Sequence, residues 1–134
     1  MSIPFPSLEF FTRLKQSLAD DPAEDAAASD AYFGLIVDDG IFVVELDGHQ
    51  CSAVAQGGNL LDLDFGLAAP AETWRAVLRS IQTNDGGHRL ETLLADGQLE
   101  LQGENEDGAE LARGALPMIQ ALLDRAKSLD LDFT

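Results

Sequence analysis

Hydrophobic and polar positions alternate most regularly between Phe33 and Phe65. Four short apolar runs are separated there by Asp38-Asp39-Gly40, Asp47-Gly48 and Gln56-Gly57-Gly58-Asn59. Asp-Gly pairs between alternating apolar residues mark tight hairpins, because the turn needs a positive φ that Gly adopts without a steric penalty. The last run, Leu61-Asp62-Leu63-Asp64-Phe65, puts leucines and the phenylalanine on one face and aspartates on the other. The expectation is a meander with one apolar and one wet face.

Helical periods flank this meander. Ser7 is a suitable N-cap for a helix over Leu8–Leu18, with Glu9 in its first turn and Phe10, Phe11, Leu14 and Leu18 on one face. Residues 22–30, small and acidic, read as a loop or an exposed helical turn. After the meander, Pro70 suits a first helical position, and Trp74, Val77, Leu78 and Ile81 follow at i, i+3, i+4 and i+7. Thr83-Asn84-Asp85-Gly86-Gly87 stops that helix. Residues 88–96 are open between a short helix ending near Gly97 and a hairpin through Ala95-Asp96-Gly97. Gln98–Gln102 reads as a strand with Leu99 and Leu101 on one face. Asn105 opens a last helix with the stripe Leu111, Ala115, Met118, Ile119, Leu122 and Ala126. Pro117 lies inside it, and a proline there removes a hydrogen bond and clashes one turn back; the expectation is a kink or break near Gly114–Leu116. The tail Leu129-Asp130-Leu131-Asp132-Phe133 repeats the letters of residues 61–65. It is either plain alternating sequence or a strand added to a sheet edge, its own or a neighbour's.

Length and composition narrow the function. At 134 residues the chain reads as one domain. With 24 Asp and Glu against 8 Lys and Arg, its net charge is −16. That argues against nucleic acid and against standing attachment to an anionic membrane; it favours solubility or docking to a basic protein. A single cysteine, Cys51, excludes an intramolecular disulfide. The absence of a run of about 18 apolar residues excludes a spanning helix, and the N-terminal MSIPFPSLEFF lacks the features of a secretory signal. A cytoplasmic location is expected.

Catalytic or metal chemistry finds little support. His49 and Cys51 would share a face if residues 49–55 form a strand, but no third ligand lies at useful spacing. Carboxylate pairs (Asp20/Asp21, Asp38/Asp39, Asp62/Asp64) arise freely among so many acids. Gly57-Gly58 precedes a strand start, so it is no phosphate loop. Asn84-Asp85-Gly86 and Glu104–Gly108 lack the ligand spacing of a calcium loop. No cofactor, metal or catalytic residue is expected.

The order of elements resembles that of the sterol carrier protein 2 (SCP2) domain family, and specific stretches carry the likeness. Asp39–Leu46 is similar to that family's Gly-led central strand. Leu61–Phe65 running into Pro70-Ala71-Glu72-Thr73-Trp74 is similar to its aspartate-containing strand and helix. Leu94–Gly103 resembles its Gly-led strand closed by another Gly. The likeness spans roughly residues 30–125, with residues 128–134 as a tail. It implies an α+β fold: a five-stranded mixed, mostly antiparallel sheet covered on one side by helices, with an apolar tunnel between the layers. It further implies non-catalytic binding of lipids, sterols, fatty acyl groups or prenyl quinones. The tunnel walls would then be Phe42, Leu63, Phe65, Leu99 and Leu101 from the sheet, Trp74, Val77, Leu78 and Ile81 from one helix, and Leu111, Met118, Ile119 and Leu122 from the last. Without the resemblance, these side chains would be read as a filled core.

The sequence departs from the family in three ways. Phe42 stands where the central strand often has Trp, the chain ends in Asp-Phe-Thr and not in a peroxisomal tripeptide, and the charge is acidic where membrane-active members tend to be basic. The last point weighs against vesicle-to-vesicle transfer and leaves ligand binding untouched. Two other readings stay open: an acidic interaction module with a filled core, recognising a basic protein, and a small isomerase or hydrolase with an Asp base in the cavity. The second ranks last, because the alternation puts Asp62 and Asp64 outside. A homodimer through the tail is a further expectation.

Overall fold

The computed structural model describes residues 3–24, 28–57, 63–83, 89–102 and 106–133. In chain order these form β1 (Ile3–Phe5), α1 (Leu8–Asp20), β2 (Ser29–Val37), β3 (Gly40–Gly48), β4 (Gln50–Gln56), β5 (Phe65–Ala69) and α2 (Ala71–Thr83). Then come α3 (Leu90–Asp96), β6 (Glu100–Gln102), α4 (Glu106–Asp124), a 3₁₀ turn (Arg125–Ser128) and β7 (Leu131–Phe133). Five strands make one mixed sheet in the order β4-β3-β2-β5-β6. Only β2 and β5 run parallel, with Phe33 opposite Phe65 and Val37 opposite Ala69; the other pairs are antiparallel.

The hairpins fall where the Asp and Gly breaks predict them. Between β2 and β3, however, the left-handed residue is Asp38 (φ +54°), not Gly40. Asp is among the few residues with a side chain that tolerate this region, and here the side chain has a second use. Its Oδ1 accepts the N–H of Ala71 at 3.0 Å, capping α2 from 33 residues away, while its own N–H donates to the Ala69 carbonyl at 3.2 Å. At the next turn Gly48 has φ +67°, and His49 alone separates β3 from β4.

The fourth run departs from expectation. The strand is Phe65–Ala69, not Leu61–Phe65, and it crosses to the far side of β2 instead of continuing the meander. Two bonds fix its entry: Asp64 N–H donates to the Tyr32 carbonyl (2.7 Å), and Tyr32 N–H donates to the Asp64 carboxylate (2.9 Å). An aspartate read as simply solvated therefore locks the strand's start. The meander also begins earlier than Phe33, because Ser29 and Asp30 already belong to β2. Leu61 and Asp62 lie outside the described residues, as do the stop at Asn84–Gly87, both calcium-loop candidates apart from residues 106–108, and the opening at Asn105.

The helices follow their periodicity. Ser7 caps α1, its Oγ accepting the Phe10 N–H at 3.2 Å, and Phe10, Phe11, Leu14 and Leu18 are all buried. Residues 90–96 are helical. Gly97 (φ +80°) is the C-cap, and the N–H groups of Gln98 and Leu99 close back on the Leu93 carbonyl at 3.0 and 3.1 Å, so Ala95-Asp96-Gly97 is a helix end and not a hairpin. α4 runs unbroken from Glu106 to Asp124 with Pro117 inside it. The expected division into two helical segments does not occur. Pro117 is on the exposed side of α4 while Met118 and Ile119 are buried, so packing holds the helix together past the missing hydrogen bond.

One face of the sheet carries the core. Ala31, Phe33, Leu35 and Val37 of β2 point toward the helices, flanked by Phe42, Val44 and Leu46 of β3 and by Phe65, Leu67 and Ala69 of β5. Phe33 stacks on Phe65 (5.3 Å between centroids) and Phe11 of α1 on Phe42 (4.8 Å). The tail does form a strand, but β7 pairs in parallel with β1, Ile3 opposite Leu131, in a separate two-stranded sheet. It joins its own N-terminus and not an edge of the main sheet.

The double use of Asp38 gives a stability prediction. Asp38→Ala removes the α2 cap and leaves a residue poorly suited to φ > 0, so it should destabilise by about 2 kcal/mol. Asp38→Asn keeps both properties and should stay within about 0.5 kcal/mol of the parent. Urea unfolding midpoints measure both.

Candidate functional site

The apolar layer between sheet and helices is built from facing stripes. β3 contributes Phe42 and β5 contributes Phe65, with buried Leu99 just before β6 and half-buried Leu101 within it. From above, α2 sets down Trp74, Val77 and Leu78, with Ile81 half-buried beside them. Met118, Ile119 and Leu122 of α4 are buried, and Leu111 packs at the margin. The Trp74 indole N–H donates to the Ile36 carbonyl at 2.8 Å, which ties α2 to β2 through the layer. Every expected wall residue except Leu63 belongs to this one cluster.

Leu63 lies on the opposite face. A Cβ placed on Gly34 would stand 2.9 Å from Leu63 Cδ1 and 3.3 Å from Ile41 Cγ2, and Gly34 faces away from the side shared by Phe33 and Leu35. Because the strand starts at Phe65 and not at Leu61, Leu63 is outside its alternation. It covers the back of the sheet over Gly34.

Clefts formed by the described residues border the layer. One, of about 700 Å³, opens between residues 21–24 after α1, residues 89–92 at the start of α3, and α4 from Leu116 to Asp124 with Arg125 beyond it. Gln120, only 5% exposed, braces its wall: Oε1 accepts the Leu90 N–H at 2.9 Å and Nε2 donates to Asp124 Oδ1 at 2.9 Å. Arg89 lies 3.6 Å from Asp124, and Arg125 lies 3.6 Å from Asp21. Another cleft, about 370 Å³, lies beside Asp38, Pro70 and β6. None of the expected wall residues lines either cleft.

No family model and no curated protein sequence matches the chain. Solved structures do. The chain is similar to a crystal structure of sterol carrier protein 2 with a TM-score of 0.69 and 21% identity, covering 92% of this chain and 97% of that one. It is also similar to a structure described as the UbiJ-SCP2 ubiquinone synthesis protein, with a TM-score of 0.50 and 17% identity over 88% and 96% of the two chains. The chain has the SCP2 fold.

Within this SCP2 fold the polar chemistry is sparse. His49 sits in the β3–β4 turn and not on the strand that carries Cys51, so the two do not share the strand face on which their pairing depended. The Cys51 thiol is buried in the core and contacts the Ala53 carbonyl at 3.4 Å; burial pushes its pKa up. Among the described residues no group of three His, Cys, Asp or Glu side chains could hold a metal, and no helix is long and apolar enough to cross a membrane. The runs that form β2 and β3 were legible as strands from the Asp and Gly breaks around them. The roles of Gln82 and Gln120 were not legible. Each is a polar residue within a helical sequence, and nothing local marks Gln82 as the donor to the Ala126 and Leu129 carbonyls (3.3 and 2.8 Å).

Cys51 supplies the pH prediction. Its folded pKa is raised, so the unfolded thiol ionises first as pH rises, and the stability it contributes is lost above the ordinary thiol range of about 8.5. The urea midpoint should fall more steeply above that pH in the parent than in Cys51→Ala. An aromatic disulfide reagent at pH 8 should label the folded chain about a hundredfold more slowly than the unfolded one. Equal labelling rates would contradict the burial.

Proposed function

We propose that this chain is a non-catalytic carrier that sequesters an elongated apolar ligand of sterol, fatty acyl or prenyl-quinone type between its sheet and its helices. The observation that carries the reading is the SCP2 fold over nearly the whole of both chains. That warrant is fold-level analogy; the composition of the layer adds a physical one. Burial of an alkyl ligand contributes about 0.8 kcal/mol per methylene, so an apolar layer binds without an ionic anchor. The side of α4 that faces the sheet is built to yield: Ala112 and Ala115 are small and buried, and Met118 can reshape around a guest. Pro117 removes one backbone bond on the outer side of that helix, which makes α4 the gate in this reading. The ligand enters as α4 lifts, and the wall residues of α2, α4, β3, β5 and β6 enclose it.

Native mass spectrometry of the protein taken from its own cells, followed by organic extraction, is the test. The expected result is one apolar molecule per chain. The single tryptophan, Trp74, should shift its emission when a fluorescent acyl or sterol probe is added. A chain that carries nothing and takes up no probe would sink the carrier reading in favour of a filled core that docks to a basic protein.

A further inference from the structure

We propose that two copies of this chain pair through β4, antiparallel about a two-fold axis at Ala55, so that their sheets join into one. The proposal does not rest on the carrier reading, since no β4 residue belongs to the expected apolar walls. β4 and β6 are the two edges of the main sheet. β6 is guarded as edge strands usually are, being three residues long and carrying Glu100. β4 has no such guard. It has seven residues, no proline and no charge. It also lies within Gly48–Leu61, the longest stretch of the chain without Asp, Glu, Lys or Arg.

The backbone of this edge is open. The Gly57 N–H donates to the Ile41 carbonyl at 2.7 Å, and the register runs on through Val43 opposite Ala55 and Glu45 opposite Ala53. In an antiparallel ladder alternate residues turn both backbone groups to the neighbouring strand. Ala53, Ala55 and Gly57 therefore bond to β3, while Val54 and Gln56 present theirs outward, where no described residue meets them. Ser52, left out of the pairing where the register shifts, is tied back to Glu45 Oε1 at 2.6 Å. The regular edge is thus Ala53–Gln56. With Val54 of each copy opposite Gln56 of the other, both residues exchange their N–H and carbonyl groups, and Ala55 meets Ala55 across the axis.

Charge selects a second copy as the occupant. Two molecules of net charge −16 repel wherever their acids face each other. The β4 side is different. α1 runs along it, from Phe11 stacked on Phe42 to the turn at Ala23, whose N–H donates to the His49 carbonyl. Leu8–Ala19 and Gly48–Gly57 together hold one of the chain's 24 acids and two of its 8 bases. A basic partner finds fewer carboxylates here than on the rest of the molecule, whereas a second copy finds a side that does not repel it. Ala55 is exposed and small, which suits the close approach of a pair that exchanges no hydrogen bonds.

Sedimentation equilibrium of the full chain tests this. The parent should show a monomer–dimer equilibrium with a dissociation constant on the order of 10 μM, as befits a small contact. It should tighten about fivefold between about 0.05 M and about 0.5 M sodium chloride, because salt screens the repulsion between copies. Ala55→Glu and Ala55→Lys each set like charges face to face at the axis, and each should weaken pairing about fivefold at the lower salt. Both change an exposed side chain, so their far-ultraviolet circular dichroism should match the parent's. An equimolar mixture of the two variants sets Glu opposite Lys and should pair at least as tightly as the parent. A parent that stays monomeric at about 0.5 mM in the higher salt would overturn the proposal. A dimer left intact by both substitutions would place the contact elsewhere and overturn it as well. A mixture that pairs no better than either variant alone would overturn the two-fold at Ala55.

Discussion

Five residues of β2, Phe33 to Val37, pair in parallel with Phe65 to Ala69, and a parallel pair cannot be closed by a tight turn. The chain must leave β2, build β3 and β4 on one side, and return across the sheet to the other. That return puts β2 at the centre, between β3 and β5. It also stacks Phe33 on Phe65 in the middle of the core, with the ring planes nearly parallel at 6°. Both ends of the pairing are pinned. Asp64 and Tyr32 exchange two hydrogen bonds where β5 begins, and Asp38 reaches from the β2–β3 turn to the Ala69 carbonyl and the Ala71 N–H where it ends. The position of α2 follows from that second clamp.

Above the sheet, cohesion divides into two kinds. The contacts between layers are apolar and non-directional, drawn from the stripes of α1, α2 and α4. Directional bonds add to these: Trp74 reaches through the layer to the Ile36 carbonyl, while Gln82 to the carbonyls of Ala126 and Leu129 and Gln120 to the Leu90 N–H hold its margins. The parallel β1–β7 ribbon adds a tie between the chain ends. Such a layer keeps its helices in register by these bonds while the rest of it holds together by shape and burial.

Most of the elements were legible in the chain because each has a local cause. The period of 3.6 in Trp74, Val77, Leu78 and Ile81, the Ser7 cap, the apolar runs of β2 and β3, and the Asp-Gly hairpins all act within a few residues. The failures share a cause as well. Leu61–Phe65 alternates as well as any strand, yet the strand is Phe65–Ala69, because pairing with β2 and not alternation sets the register. Pro117 has a local preference to end a helix, and burial of Met118 and Ile119 in the sheet-facing stripe overrides it. Leu63 alone of the side chains expected in the shared layer lies outside it, and its face depended on that misjudged strand.

By itself the sequence determined the class of most elements, the apolar stripes of α1, α2 and α4, the hairpin breaks around β3, and a strongly acidic composition, since these are set by the residues present and by their local spacing. The tertiary structure alone decided the parallel return of β5, the pairing of the tail with Ile3–Phe5, and the second role of Asp38 as a cap 33 residues away. It also brought Arg89, Gln120 and Arg125 to one cleft. Those features join residues distant along the chain, and contacts of that kind leave no periodicity in the sequence, because they are selected by which surfaces remain to be covered once the local elements have formed.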